Sequence, residues 1–515
     1  MWSRRRFLKT LGIGAAAGGA AMAAGGLWRH WLVKKKPNIV YVLADDMGYG
    51  DVSCLNADSK IHTANIDRMA AAGMIFRDAH ASSAVCTPSR YSILTGRYNW
   101  RSAQKSGVNF GFSGPLIERG RMTVASLLKT AGYRTACVGK WHLGWTWAKR
   151  SAKEDDVDYS RPIADGPTSV GFDYFFGISA SLDMAPYVYV ENDRVTAEPT
   201  GWTAGSSGKQ MWREGAIAPD FKHEDVLPTL TEKALAWIDQ SAKTSEPFFL
   251  YFPLPAPHTP ILPTPEFRGK SGTNEYGDFC LQVDDVMGQL LAALDRAGIA
   301  EDTIIIFTAD NGCSPMADFA ELAAVGHKPS YVFRGHKADI YEGGHRIPLV
   351  IRWGGGIAPG SATDQTVCLT DLLATCSDLL DLPLPAAAGE DSVSNLPLWQ
   401  GRVEQPVREA TVHTSIDGSL SIRRGRWKLE MCPGSGGWSH PQPGSKDASN
   451  LPSRQLYDLT ADIGERRNLI DEQPAVAAEL QALLTSYVQR GRSTPGAAQG
   501  NTGPVWWNQL WWMKK

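Results

Sequence analysis

Two stretches of this chain, "NIVYVLADD" (Asn38 to Asp46) and "TIIIFTADN" (Thr303 to Asn311), share one form. Each is an apolar run without alternation that ends abruptly in acidic or amide residues. A strand-length run that is apolar at every position has no solvent face. It predicts a strand covered on both sides, as in a parallel sheet flanked by helices. "PFFLYFPLPAPHTP" (Pro247 to Pro260) predicts a third strand, ending in a Pro-rich loop that carries His258. "RTACVGKWHLG" (Arg134 to Gly144) predicts a fourth, with Lys140 and His142 at its end. Ahead of the Thr303 strand, Phe279, Val283, Val286, Leu290 and Leu294 keep helical spacing. Alternating strands and helices predict an α/β fold: a large mixed, mostly parallel sheet flanked by helices. Ligands of such sheets bind beyond the carboxyl ends of the strands. All four runs put polar, chemically useful residues there.

The flanks read differently. "SRRRFLKT" (Ser3 to Thr10) has the twin-arginine export pattern, and the Ala/Gly-rich run after it is too short and too rich in Gly for a transmembrane helix. Residues 1–24 are expected to be an export signal ending near Ala21-Met22-Ala23, which makes the protein periplasmic or otherwise exported, with the twin-arginine machinery as a partner. Residues 37–395 are expected to form the main domain. Pro, Ala, Gly and Ser then crowd together, and "GSLSIRRGRWKLEM" and "RQLYDLTAD" predict short antiparallel strands. With the amphipathic helix marked by Val476, Leu480, Leu483, Leu484 and Tyr487, these predict a smaller C-terminal α+β subdomain, residues 405–492. The tail, residues 493–515, ends in "PVWWNQLWWMKK", with four Trp and two Lys in twelve residues. An aromatic clasp on the body and contact with a membrane interface are both open for it.

A formal net charge of −2 gives no nucleic-acid footprint. The eight cysteines include no C-x-x-C pair, and a chain this long needs no disulfide staples. Asp45, Asp46, Asp310 and Asn311 are hard oxygen donors at two strand ends, which suit calcium or magnesium rather than zinc. Facing them are Arg90, Lys140, His142, His258 and Lys337. A metal with several fixed cations suits a tetrahedral oxyanion substrate. Cys86 stands open to four readings: a packed thiol, half a disulfide, a nucleophile, or the precursor of another group. The thiolate phosphatase loop needs Arg six positions after its Cys, and that position is Ser92.

"CTPSRYSILTGR" (Cys86 to Arg97) is identical to the sulfatase signature C-x-P-S-R-x-x-x-L-T-G-R, and "GKWHLG" (Gly139 to Gly144) resembles the second signature of that family. "IVYVLADDMGYGD", "FTADNG" and "RGHKADIYEGGHRIP" resemble further family blocks in the expected order, and "GRWKLEM" with "QLYDLTADIGERRNL" resembles the family's C-terminal subdomain. The resemblance runs from about Pro37 to about Asp471. It implies a calcium-dependent sulfuric ester hydrolase of the alkaline phosphatase superfamily fold. It also implies that Cys86 is oxidised to formylglycine by a separate generating enzyme. Hydration of that aldehyde gives a geminal diol, one hydroxyl of which attacks sulfur while the other helps expel sulfate.

By resemblance, Asp45, Asp46, Asp310 and Asn311 bind calcium together with an oxygen of the modified Cys86. Arg90 holds the diol, Asp310 handles the nucleophile's proton, and His142 assists collapse of the sulfated hemiacetal. Lys140 and Lys337 grip sulfate oxygens, and His258, with Lys337, protonates the departing alcohol. Ser181 corresponds to a sulfate-contacting Ser, with Ser179 as its competitor, and His336 and His345 read as structural. Two other functions compete: a phosphonate or phosphodiester hydrolase of the same fold, and a catalytically dead carbohydrate-binding protein. The aromatic and polar segment from Asp165 to Lys222 suits a sugar-binding rim, and the resemblance makes a sulfated carbohydrate the expected substrate, although fold and core motifs do not set substrate identity.

Overall fold

The computed structural model describes residues 36–403 and 405–514. The expected export signal, residues 1–24, lies outside the described residues. The strand Asn38–Ala44 is buried along its whole length, as its unalternated apolar sequence requires. It pairs in parallel with Thr303–Ala309 on one side and Phe248–Pro253 on the other. From edge to edge the ten-stranded sheet runs Ser361–Thr363, Met74–Phe76, Leu349–Arg352, Thr303–Ala309, Asn38–Ala44, Phe248–Pro253, Arg134–Lys140, Tyr174–Ile178, Val190–Glu191 and Arg194–Val195. The four strands expected from the sequence are consecutive neighbours in it, all parallel. Tyr174–Ile178 adds a fifth parallel strand, and antiparallel pairings begin at Leu349–Arg352 on one side and Val190–Glu191 on the other.

Two helical groups cover this sheet. Ala64–Ala71 and Val226–Ser241 both pack on the long helix Glu275–Arg296. That helix buries Phe279, Val283, Val286, Leu290 and Leu294, and its first turn is capped by the Asn274 side chain, which accepts from the N–H groups of Tyr276 and Gly277. Cys86–Thr95, Val124–Thr130 and Leu372–Leu379 form the second group.

A separate four-stranded sheet follows, Thr411–Thr414, Leu420–Arg424, Trp427–Glu430 and Gln455–Asp458, antiparallel throughout. The helix Pro474–Arg490 packs on it, and Val412, Ile422, Leu429, Leu456, Leu480 and Leu484 make its core. The tail joins this core through Trp507 and Leu510. Trp511 Nε1 donates to the Met431 carbonyl (3.0 Å) and Trp512 Nε1 to Thr485 Oγ1 (3.1 Å), so the aromatic end clasps the body. Among the described residues no helix is long and apolar enough to cross a membrane. All eight cysteines are free thiols.

Strand register delivers the chemistry to one rim. Ala44 pairs with Ala309, and Leu43 with Pro253, so these strands end at one level. The N–H of Asp310 donates to the Ala44 carbonyl (3.1 Å) and that of Asp45 to the Ala256 carbonyl (2.9 Å), carrying the alignment one step past the sheet.

Candidate active site

The floor of the site is made of residues that leave these strands. Asp45 and Asp46 follow Asn38–Ala44, and Asp310 and Asn311 follow Thr303–Ala309; all four are buried. Asp46 has a positive φ of 66°, uncommon outside Gly and Asn and a conformation held by its surroundings. Tyr276 supplies that support, its hydroxyl donating to Asp51 Oδ2 (2.5 Å) and lying 3.1 Å from the Asp46 carbonyl. Asn311 Nδ2 donates to Asp46 Oδ1 (2.8 Å) and to the Gly312 carbonyl (2.9 Å), which fixes the amide so that Oδ1 is its free atom.

Cys86 opens the helix Cys86–Thr95, all of whose side chains are buried. Its thiol sulfur and carboxylate oxygens of Asp45 and Asp310 lie within 4.8 Å of one another. One turn along the helix, Arg90 donates to Asp310 Oδ2 through Nε (2.9 Å) and a terminal nitrogen (2.8 Å), and to the Lys140 carbonyl (2.8 Å). Cys86 and Arg90 are four positions apart, thus one turn, which aims both side chains at the same floor.

Two lysines close the sides. Lys140 Nζ donates to Asp45 Oδ2 (2.5 Å) and to Ser181 Oγ (3.1 Å). Lys337 Nζ donates to Asp46 Oδ2 (2.7 Å). Ser181 Oγ lies 3.2 Å from His258 Nδ1, and the other ring nitrogen of His258 is 3.6 Å from Asp46 Oδ2. His142 bonds the Asn109 carbonyl through Nε2 (2.8 Å), which puts the proton on that nitrogen and leaves Nδ1 buried with its lone pair free. Every residue singled out for the site from the sequence is therefore in one buried cluster. Between the two competing serines, Ser181 brings its hydroxyl to the cluster, while Ser179 gives its backbone carbonyl to the His142 N–H (3.0 Å).

Residues 37–382 match the family described as Sulfatase. The chain belongs to the sulfatase family. It is 35% identical over 500 residues to an N-acetylgalactosamine-6-O-sulfatase of Bacteroides thetaiotaomicron, covering 88% of this chain and 94% of that one. To arylsulfatase A of Homo sapiens it is 31% identical over 468 residues, covering 88% and 87%. A solved structure described under the metabolism of multiple glycosaminoglycans by Bacteroides thetaiotaomicron is similar with a TM-score of 0.77 at 34% identity, covering 88% of this chain and 99% of that one. The protein is a sulfuric ester hydrolase.

The electrostatics of this sulfatase separate its groups. Burial pushes the Cys86 thiol up to about 11, against the pull of Lys140 and Lys337, so at neutral pH the sulfur keeps its proton and is a poor nucleophile. Burial also works to raise the Asp45 carboxyl, but Lys140, His258, Arg90 and Lys337 outweigh it and hold Asp45 well below the usual carboxylate range. Asp310 goes the other way, pushed up to about 7 by burial and by the neighbouring Asp45 charge. His142 is driven well below the ordinary imidazole value by burial and then by Lys140 and Arg90. His258 is lowered by burial and Lys337, with Asp46 and Asp45 opposing.

The donor set fits a hard cation. Asp45 Oδ1 and Asn311 Oδ1 are buried oxygens without a hydrogen-bond partner, and such orphans are costly unless something is meant to meet them. Carboxylate and amide oxygens are the ligands that calcium and magnesium take, and four of them line this floor beside the Cys86 sulfur and the His258 ring.

The sequence reading missed Asp183. It is buried, its Oδ1 has no hydrogen-bond partner, and that atom stands 4.0 Å from His258 Nδ1. Its other oxygen pairs with Arg213. The spacing of two from Ser181 in "SLDM" was the available signal, but it carries meaning only once Ser181 is known to face the site.

Proposed function

We propose that this sulfatase hydrolyses sulfate esters of carbohydrates, with Cys86 converted to formylglycine and calcium held by Asp45, Asp46, Asp310 and Asn311. The observation that carries the reading is the pair of orphaned floor oxygens beside a buried Cys86 at the head of its helix. The names of the relatives, which act on N-acetylgalactosamine 6-sulfate or aryl sulfates, support the substrate class. Calcium supplies a Lewis acid for the charge that develops on sulfate. The aldehyde supplies, as its hydrate, the hydroxyl nucleophile that an unmodified thiol at this position does not.

The chain's own residues do the rest. Lys337 commits one N–H to Asp46 and keeps two for sulfate oxygens, and Lys140, bonded to Asp45 and Ser181, keeps a third. These are fixed donors aimed at charge that grows in the transition state. Asp310, held in place by Arg90 within reach of position 86, takes the proton of the attacking group. His142, its Nε2–H held by the Asn109 carbonyl, keeps a free Nδ1 lone pair at the buried site, placed to assist as sulfate leaves. His258, together with the Lys337 ammonium beside Asp46, delivers the proton that the departing sugar alcohol needs. Arg90 anchors Asp310 and the strand end of Lys140 in one geometry. Export by the twin-arginine route, on the strength of Ser3 to Thr10, would place the enzyme where sulfated glycans reach the cell.

The test is made on protein co-expressed with a formylglycine-generating enzyme. Peptide mass at position 86 is expected to show the aldehyde, and the protein is expected to bind calcium and melt lower after chelation. N-acetylgalactosamine 6-sulfate is expected to be cleaved in preference to phosphate esters. An intact thiol in fully active enzyme, or a melting temperature indifferent to chelation, would overturn the corresponding part.

A further inference from the structure

We propose that Trp438 is a specificity-determining residue: an aromatic platform, donated by the C-terminal subdomain to the mouth of the site, on which the apolar face of the substrate's sugar ring lies. The proposal rests on the carbohydrate reading above and deepens it.

Trp438 belongs to the loop that follows the strand Trp427–Glu430, far in sequence from the strand ends that build the floor. Its ring stands beside the sulfate-facing lysine, with Lys337 Nζ 6.0 Å from the ring centroid. The indole is 40% exposed, in contrast to the buried tryptophans of the cores. A ring at the edge of a polar pocket, facing solvent, is the arrangement that binding sites use to hold the body of a ligand while charged groups hold its head.

The loop is built to hold it there. The Trp438 and Ser439 N–H groups both donate to Asp339 Oδ1, at 2.8 and 3.0 Å. The N–H of Ile340 donates to the Ser435 carbonyl (2.8 Å), and Gln442 Nε2 to the Trp438 carbonyl (2.7 Å). Gly437 passes so close to the Lys337 segment that a Cβ there would lie 2.4 Å from the Ala338 carbonyl oxygen. All these anchors are backbone or neighbouring side chains, so the loop is fixed without the indole. Lys337 does not need it either, since that ammonium is already bonded to Asp46 at 2.7 Å. The anchored loop thus sets the indole beside Lys337 at the edge of the site, and the loop's own hydrogen bonds do not use the ring. Sugar rings present a face of C–H bonds, weakly positive and apolar, that complements the negative face of an indole.

The experiment compares full-length enzyme with its Trp438→Ala, Trp438→Leu and Trp438→Phe forms, using N-acetylgalactosamine 6-sulfate and an oligosaccharide that carries it. Loss of the ring is expected to raise KM about tenfold, and the Ki of the desulfated sugar similarly, with kcat within about twofold. Inorganic sulfate, which has no sugar, should inhibit wild type and variants equally. Trp438→Phe should recover most of the affinity, and Trp438→Leu, which keeps apolar volume without the π face, should not. An unchanged KM in the Ala and Leu forms overturns the platform. So does a parallel rise in the Ki of sulfate, which would mean that the ring merely positions Lys337. A wild-type enzyme that cleaves aryl sulfates and no sulfated sugar would instead remove the carbohydrate reading on which the proposal stands.

Discussion

His258 and Lys140 both approach Ser181 Oγ, yet the reaction asks different things of them. A sugar alkoxide is strongly basic and leaves only with a proton, whereas a nitrophenolate leaves without one. His258→Ala is therefore expected to slow a sugar sulfate by roughly a hundredfold or more and an activated aryl sulfate far less. Lys140→Ala, on the proposed role of Lys140 as a grip on sulfate oxygens, should slow both substrates by similar factors. Steady-state rates on the two substrates check this, and equal damage from His258→Ala would assign the proton to another group. At this scale the sequence was informative wherever a residue ends a strand or follows Cys86 by one helical turn. It was silent on Asp183 and Trp438, whose roles depend on what folds against them.

Between the elements, one cluster unconnected with sulfate chemistry has a clear physical consequence. His80 on the strand Ala79–His80, His345 at the end of the turn Glu342–His345 and His413 on Thr411–Thr414 are buried together where the main body meets the second sheet. The rings of His345 and His413 are stacked at 3.9 Å with planes 9° apart, so their in-plane lone pairs do not converge on a common metal. Asp78 and Glu342 face this layer, but Arg423 and Lys428 face it too, and burial outweighs the acids. All three imidazoles are lowered, His345 and His413 well below the ordinary value. Unfolding therefore takes up protons once pH falls below the unfolded imidazole value of about 6.5. The stability held by the neutral stack is fully present above that pH and is lost progressively toward the lower folded values, by up to about 1.4 kcal/mol per pH unit for each histidine that charges. Melting temperature measured against pH should drop on the acid side, and His413→Phe should flatten the drop. Parallel curves for the two proteins would refute the account. None of this was legible in a sequence where the three histidines are scattered and only His345 drew notice, as structural.

Over the whole molecule, Asn38–Lys515 form one compact unit, and the second sheet acts as a subdomain of it. The tail is part of that unit. Trp507 packs at a tilt against Trp100, with ring centroids 6.4 Å apart, and Lys105 Nζ sits 4.4 Å from the Trp507 ring while donating to three carbonyls. Burying Trp507 and Leu510 is worth roughly 3 kcal/mol or more by apolar area. Deleting residues 504–515 should lower the unfolding free energy by about that amount in urea titrations while leaving sulfatase activity intact. Unchanged stability would show that the clasp contributes nothing.

The sequence by itself determined the parallel sheet, the rim of acids and cations at its strand ends, and the helix that presents Cys86 and Arg90. These follow from local properties: an unalternated apolar run, a turn of 3.6 residues, and a signature contiguous in the chain. Only the tertiary structure decided that the smaller sheet sends a tryptophan to the mouth of the site, and that Asp183 turns an unpartnered oxygen toward His258. The Trp438 amide meets an aspartate 99 positions away, and Lys337 reaches Asp46 across 291. No periodicity records a contact of that kind, because what fixes it is the packing of whole elements rather than the pattern within any one of them.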